Sequence, residues 1–349
     1  MRELGVRLSS LGDVIHTVPV AAALRRQFPD ATIDWIANTN LAELLSLVPS
    51  VDRLFTLGSG SYAEVTRWVK LRSELRNRQY DVALDVQGLM KSGFVAWLSG
   101  AKRVIGFSEP FLREKYARYF YDESVDLGNP VHVVERNLSI LKAVGVDDRE
   151  WAFPFDLPSL GVVDDVTQQL ESSRGHYAIL NPTTAWPNKC WPAERFGAVA
   201  EHIRKAHGLT SVVVWGPGDK MSAEAVVSAS CGTAICAPET SLVELACLLN
   251  SGVVLVSGDT GPLHLAAALG TPVVGIYGPS SPVRNGPWSP EDEVASISDE
   301  CLCLQQQEGH SATGMVRQCR HTHWCLGNLT VEAGCAAVDR RLRNVVTYA

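Results

Sequence analysis

The 349 residues carry a formal net charge of −7, with 46% hydrophobic and 20% charged side chains. This balance describes a globular chain long enough for two domains, and its acidic sign argues against a general nucleic-acid binder, which needs a basic field. No run of about eighteen uncharged apolar residues occurs, so no membrane-spanning helix is expected, and MRELGVRLSS lacks the form of a signal peptide. Nine cysteines, an odd number, suit a reducing compartment, so the expected location is the cytoplasm.

Residues 4–8 read as a strand, 9–13 as a loop and 14–28 as a helix with Val18, Ala22 and Leu24 on its apolar face; 31–37 is the next strand, completing a βαβ unit. The alternation continues through strand 53–57, helix 62–78, strand 80–86, a helix after Gly88 and strand 104–107. A looser charged and aromatic segment, LREKYARYFYDE, precedes a helix over 133–144. Residues 145–175 mix Asp, Pro and Ser around one short polar helix and mark the domain boundary. A second series follows: strand 177–181, helix 193–207, strand 211–215, helix 221–229, strand 233–236 and helix 241–250. It ends in SGDTGPLHLAAALGTPVVGIYGP, which reads as strand, tight turn, helix, strand. Beyond Pro290 the pattern weakens into a Cys-, His- and Gln-rich loop, and 330–346 reads as a final helix. The expected fold is α/β, with two doubly wound parallel-sheet domains, 1–165 and 175–329, facing across a cleft.

Ligands of open α/β sheets collect at the carboxyl ends of strands, and four loops there carry chemistry. In LSSLGDVIHT, Asp13 can remove a proton from an attacking hydroxyl, or it can cap the helix that follows; His16 is either functional or a packed side chain. This loop holds only Gly12, so the Gly-x-Gly-x-x-Gly of a dinucleotide-binding dehydrogenase is absent. In NPTTAWPNKCWPAERF, Thr183 and Thr184 offer hydroxyls and Lys189 a mobile point charge for a diphosphate, against the alternative of a surface lysine in a Trp-Pro loop. In VVVWGPGDK, Asp219 suits ribose hydroxyls or simply forms a turn. In the Ser257 motif, Asp259 or Thr260 caps a helix with Pro262 in its first turn, and Thr260, Gly261 and His264 offer donors to a phosphate at the helix end. Cys301, Cys303, Cys319 and Cys325, with His310, His321 and His323, fit zinc spacing imperfectly and read as reduced cysteines, so no metal is assigned.

With these residues in hand the chain resembles glycosyltransferase family nine, the bacterial lipopolysaccharide heptosyltransferases. The likeness rests on SSLGDVIHTVP, YDVALDVQGLMKSG, KCWPAERF, TSLVELACLL and SGDTGPLHLAAALGTPVVGIYGP, in that order. LREKYARYFY followed by HVVERNLSIL is most similar to the members that add the first heptose to the inner core. The resemblance implies a GT-B fold whose C-terminal helix, 330–349, returns to the first domain. It also implies inverting transfer from ADP-heptose, a nucleotide-sugar donor, to a lipid-linked saccharide of the Kdo-lipid A type, with no metal or other cofactor. Asp13 would be the general base; Lys189, Thr184, Thr260, Gly261 and His264 would hold the diphosphate, with Asp259 in the same donor motif and Asp219 or Glu224 on the ribose. His16, Gln87, Lys91 and Arg113 are acceptor-side candidates. Such an enzyme would touch the inner face of the cytoplasmic membrane transiently and bind no nucleic acid. Two other readings are an epimerase acting on a nucleotide sugar and a non-catalytic nucleotide-sugar or glycan binder.

Overall fold

A computed structural model describes residues 1–58, 65–128, 130–170, 176–301 and 325–343. The chain divides into two compact units, Met1–Asp156 and Leu157–Ala349. The first unit runs β1 (Arg2–Val6), α1 (Leu11–Ile15), α2 (Val18–Gln27), β2 (Thr32–Asn38), α3 (Ala42–Leu45) and β3 (Arg53–Leu57). It continues with α4 (Val65–Asn77), β4 (Val82–Asp85), α5 (Met90–Leu98), β5 (Arg103–Phe107), β6 (Glu123–Val125) and α6 (Val133–Leu138). The second unit begins with α7 (Gly161–Gln168), β7 (Tyr177–Asn181), α8 (Ala193–His207), β8 (Thr210–Val213), α9 (Lys220–Ala229) and β9 (Ala234–Cys236). Then come α10 (Leu242–Ser251), β10 (Val254–Gly258), α11 (Gly261–Leu269), β11 (Val273–Tyr277), α12 (Pro282–Asn285), β12 (Glu293–Ser296) and α13 (Val331–Arg343).

Each unit holds one six-stranded sheet, ordered β3-β2-β1-β4-β5-β6 in the first and β12-β11-β10-β7-β8-β9 in the second. The strand pairs are parallel in both. The two orders are the same topology: each chain segment starts at the sheet centre, winds three strands outward, then returns to the centre and winds the other way. The reversal opens a crevice above the carboxyl ends of the central pair, β1 with β4 and β7 with β10. The central strands are what such a position requires, since β7 (YAILN) and β10 (VLVSG) are buried along their whole length.

Several expectations change. The single helix read over 14–28 is two, α1 and α2, parted at His16 and Thr17, because Pro19 sits at the start of α2 and cannot continue an earlier turn. The helix read over 133–144 is α6 followed by a 3-10 segment, Ser139–Val144. Strands β6 and β12 are additional edge strands. The two units divide at Asp156, inside the 145–175 stretch, and the segment carrying α7 joins the second unit: α7 lies against α10, and Cys247 donates its thiol to the Pro158 carbonyl at 3.3 Å.

Within the second unit the final helix, α13, lies against α8, β11 and β12, and its Ala337, Val338 and Leu342 share one core with Trp191, Phe196 and Val199. Arg341 seats it further through Asp292, 3.0 Å away and buried. Of the cysteine cluster, Cys301 is buried and Cys325 half-buried; Cys303, Cys319, His310, His321 and His323 lie outside the described residues. No helix among the described residues is long and apolar enough to cross a membrane.

Glu3 is fully buried in the middle of β1, and neither carboxylate oxygen has a hydrogen-bond partner among the described residues. Burial pushes its pKa from 4.5 up to about 7. Between these two values the folded chain holds a proton that the unfolded chain has released, so the contribution of Glu3 to stability is greatest below pH 4.5, falls as pH rises toward about 7, and levels off above. Glu3→Gln should remove this fall and stabilise the first unit at pH 8 by roughly 2–3 kcal/mol. Urea unfolding at pH 5 and pH 8 checks it; equal pH dependence in both proteins would refute the assignment.

Candidate functional site

At the switch point of the first sheet, the loop after β1 leads into α1 with Ser10 as the N-cap residue. Asp13 is the third residue of the helix, not its cap: its Oδ2 accepts from the Ser10 N–H at 3.3 Å and the Ser10 hydroxyl at 3.2 Å. Two guanidiniums face the same carboxylate. Arg7 Nη2 is 2.7 Å from Oδ1, and Arg113 Nη2 is 3.0 and 3.2 Å from Oδ1 and Oδ2. Burial opposes the charge, but Arg7 and then Arg113 outweigh it and hold the carboxyl well below the usual carboxylate range.

Neighbouring groups fix this arrangement. Arg7 donates to the Val86 carbonyl, and Gln87 accepts the Leu8 N–H at 2.8 Å, so the loops after β1 and β4 are bound to one another. Gln87 therefore spends its amide oxygen on the backbone. The N–H groups of Arg113 and Glu114 both donate to the Gly88 carbonyl at 3.1 Å, which brings the Arg113 loop to the same crevice. Asp85, at the end of β4, is buried and accepts from the Tyr121 hydroxyl at 2.6 Å, Ser92 Oγ at 2.9 Å and the N–H groups of Gln87 and Gly88 at 2.9 and 3.2 Å. His16 is buried, its ring edge-on to His132 at 6.0 Å, and its charge interaction with Asp13 favours the ionised carboxylate. Lys91 is half-buried in the first turn of α5.

At the switch point of the second sheet, Asp259 follows β10 and collects the loop after β7. Lys189 forms a buried salt bridge with Asp259 Oδ2; His264 Nε2 is 3.2 Å from Oδ1, and Asn285 Nδ2 donates to Oδ1 at 2.7 Å. Burial again opposes ionisation, and His264 and Lys189 overcome it, holding Asp259 well below the ordinary range. Lys189 is thus neither a surface lysine nor a mobile charge: it is 6% exposed and fixed by its partner. Thr260 takes the N-cap position of α11 with its side chain unused, and Asp259 is turned away toward Lys189, so neither side chain caps the helix. Thr260 and Gly261 stay half-buried at that helix end, where N–H groups and dipole favour an anion.

The remaining donor candidates are placed as follows. The Thr184 hydroxyl donates to the Trp186 carbonyl at 2.7 Å and accepts its N–H at 3.2 Å, so it shapes its own loop; Thr183 beside it is half-buried. Asp219 is the residue before α9, at the end of the loop after β8, and Glu224 is exposed one turn later, 3.9 Å from Lys220. Cross-strand, Asn181 Nδ2 donates to Ser257 Oγ at 2.9 Å and ties the ends of β7 and β10 together. Arg7, Asp85, Asn181 and Asn285 were not singled out from sequence. Arg7 and Asp85 did carry a signal, each a charge breaking an apolar strand at its carboxyl end.

Two doubly wound α/β sheets, each with a charged cluster at its switch point, define the class in outline. Residues 68–313 match glycosyltransferase family 9 (heptosyltransferase), and the chain belongs to that family. It is a glycosyltransferase. Lipopolysaccharide heptosyltransferase 1 of Pseudomonas aeruginosa is 28% identical over 81% of this chain and 80% of its own length. The Escherichia coli protein of that name is 27% identical over 86% and 95%. Among solved structures, a family 9 glycosyl transferase from Veillonella parvula superposes with a TM-score of 0.82 at 23% identity, covering 98% of this chain and 97% of its own. An E. coli heptosyltransferase with ADP gives 0.76 at 24%, covering 98% and 100%. These likenesses establish the GT-B fold class.

Asp259→Asn should destabilise the second unit by about 3–5 kcal/mol, because it leaves the Lys189 ammonium buried without a counter-charge. Lys189→Met should cost similarly, and the double variant should cost clearly less than the sum. Urea unfolding of the three variants checks this; strict additivity would mean that the two residues do not act as a pair.

Proposed function

We propose that the protein transfers heptose from ADP-heptose, with inversion, to the inner core of a lipopolysaccharide acceptor of the Kdo-lipid A type. The observation that carries this reading is Asp13: an ionised, largely buried carboxylate at the switch point of the first sheet, held there by Arg7 and Arg113. Inverting transfer needs a base at the acceptor hydroxyl and positive charge at the departing phosphate. The first unit offers the base. The second offers the N-terminus of α11 with Thr260 and Gly261, and the ammonium of Lys189 and the ring of His264, both oriented by Asp259. Positive charge at the leaving diphosphate then comes from the chain itself, without a metal ion.

The names of the relatives support the sugar and the acceptor, as do the E. coli structures with ADP and with ADP-2-deoxy-2-fluoro heptose. Asp219, standing at the loop end of α9, is the better placed of the two ribose candidates. The acceptor is lipid-linked, so the enzyme works at the inner face of the cytoplasmic membrane; exposed Trp97, Tyr116 and Tyr119 of the first unit, beside Lys115 and Arg118, are the surface that would meet it. Family membership favours transfer over epimerisation or passive binding.

The ion pairs around Asp13 set its basicity. A carboxylate held low by two guanidiniums is a weak base, and its basicity rises if an anionic group of the acceptor draws Arg113 away. Asp13→Asn should lower the rate of ADP release from ADP-heptose and a truncated lipopolysaccharide acceptor by about 10²–10⁴-fold, with ADP affinity unchanged by calorimetry. Full activity in that variant would remove Asp13 from the base role. Arg113→Met takes away positive charge, so the acidic limb of the kcat/KM profile should move to higher pH; an unmoved limb would count against the coupling.

A further inference from the structure

Away from both switch points, three side chains of the second unit converge on one spot: His202 and His207 from α8, and Asp339 from α13. His202 Nε2 is 2.8 Å and His207 Nε2 2.7 Å from the same oxygen, Asp339 Oδ1. The three ligand-capable atoms all lie within 4.8 Å of one another, and the imidazole rings stand 6.2 Å apart at 70°. Each side chain is between one fifth and two fifths exposed, so the spot is open to solvent and its groups can turn. None of the three takes part in the chemistry assigned above.

Two imidazole nitrogens and a carboxylate oxygen converging from two helices are the donor set of a zinc-type centre, with one position left for water. Metal–nitrogen and metal–oxygen bonds of about 2.0–2.1 Å in a tetrahedron put ligand atoms roughly 3.3 Å apart. Each N···O pair therefore has to open by about half an ångström, a small rotation for side chains at a helix surface. The carbonyl end of α8 adds a favourable field, since His207 is its last residue and helix C-termini attract cations. Of the cationic side chains in that last turn, Arg204 is committed to the Gly208 carbonyl at 3.0 Å and Thr210 Oγ1 at 3.3 Å, and Lys205 is exposed. Arg343 donates to the backbone carbonyl of Asp339, not to its carboxylate. One turn earlier on α13, Cys335 is half-buried and is not among the converging residues, so the centre is a nitrogen and oxygen site.

We propose that His202, His207 and Asp339 bind a divalent cation of the zinc class, which clamps α13 to α8. Two imidazoles select zinc, cobalt or nickel over magnesium and calcium, which prefer all-oxygen shells. The clamp acts on the helix that carries Ala337, Val338 and Leu342 into the core of the second unit, so its effect is on the seating of α13 and not on the sugar chemistry.

The test is titration of the chelator-treated full chain with Co²⁺ and Zn²⁺. Co²⁺ should give d–d absorption without a thiolate charge-transfer band, and Zn²⁺ should raise the melting temperature. His202→Gln, His207→Gln and Asp339→Asn should each weaken Co²⁺ binding by more than the roughly 10–100-fold that loss of an outer-shell partner costs and abolish the Zn²⁺-induced rise. Metal-free melting and circular dichroism identify any variant that misfolds, and the others then carry the test. The proposal is overturned if folded variants bind as tightly as the parent, or if the only Co²⁺ signal is a thiolate band, which would assign the metal to cysteines.

Discussion

A carboxylate withdrawn from water at the mouth of a parallel sheet must meet positive charge at once, or it takes up a proton. Asp259 answers that constraint with three partners from three separate segments: Lys189 on the loop after β7, His264 in α11 and Asn285 at the end of α12. The consequence is structural before it is chemical. A loop of Trp, Pro and Asn residues that would otherwise wander is fixed to the start of α11 by a salt bridge that is largely shielded from salt and solvent. The same bond that orients the lysine offsets part of its charge, and the backbone N–H groups at the helix end add a field whose direction is set by the helix and needs no reorganisation.

Asp13 obeys the same constraint with different partners. Its partners are two guanidiniums, groups that do not give up their protons, and so the carboxylate is permanently charged and correspondingly reluctant to accept a proton. One partner, Arg7, is buried and bound to the Val86 carbonyl; the other, Arg113, stands on a loop and is about a quarter exposed. The asymmetry separates a fixed term in the basicity of Asp13 from an adjustable one. Asp85 anchors the frame beneath, drawing Ser92, Tyr121 and the turn at Gly88 around one buried oxygen pair.

Much of the fold was legible in the sequence because parallel strands buried on both faces leave continuous apolar runs. Strands Arg53–Leu57 and Tyr177–Asn181 and helix Ala193–His207 begin and end where the pattern places them. What escaped was short or half-exposed. β6 has three residues, and the burial of β12 is mixed, so neither shows a run long enough to register. The last helix was legible as a helix, but its packing through Ala337 and Val338 onto the core of the second unit was not. At the sites, the ligand-bearing residue types were readable from the strand-end rule, whereas their pairing was not: no pattern in sequence says that Lys189 meets Asp259 or that Arg113 meets Asp13 across 100 residues.

The loop that carries Lys189 has one further dependence. Two residues beyond that lysine, the indole N–H of Trp191 donates to the Leu329 carbonyl at 3.1 Å, and Arg195 holds the carbonyls of Leu326, Gly327 and Leu329. These bonds reach about 130 to 140 residues along the chain. A ribosome making this protein therefore releases the loop of Lys189 long before it releases the segment that pins it. For that interval the nascent second unit has its central strands but lacks the contacts that seat this loop, which arrive only with residues 326–329.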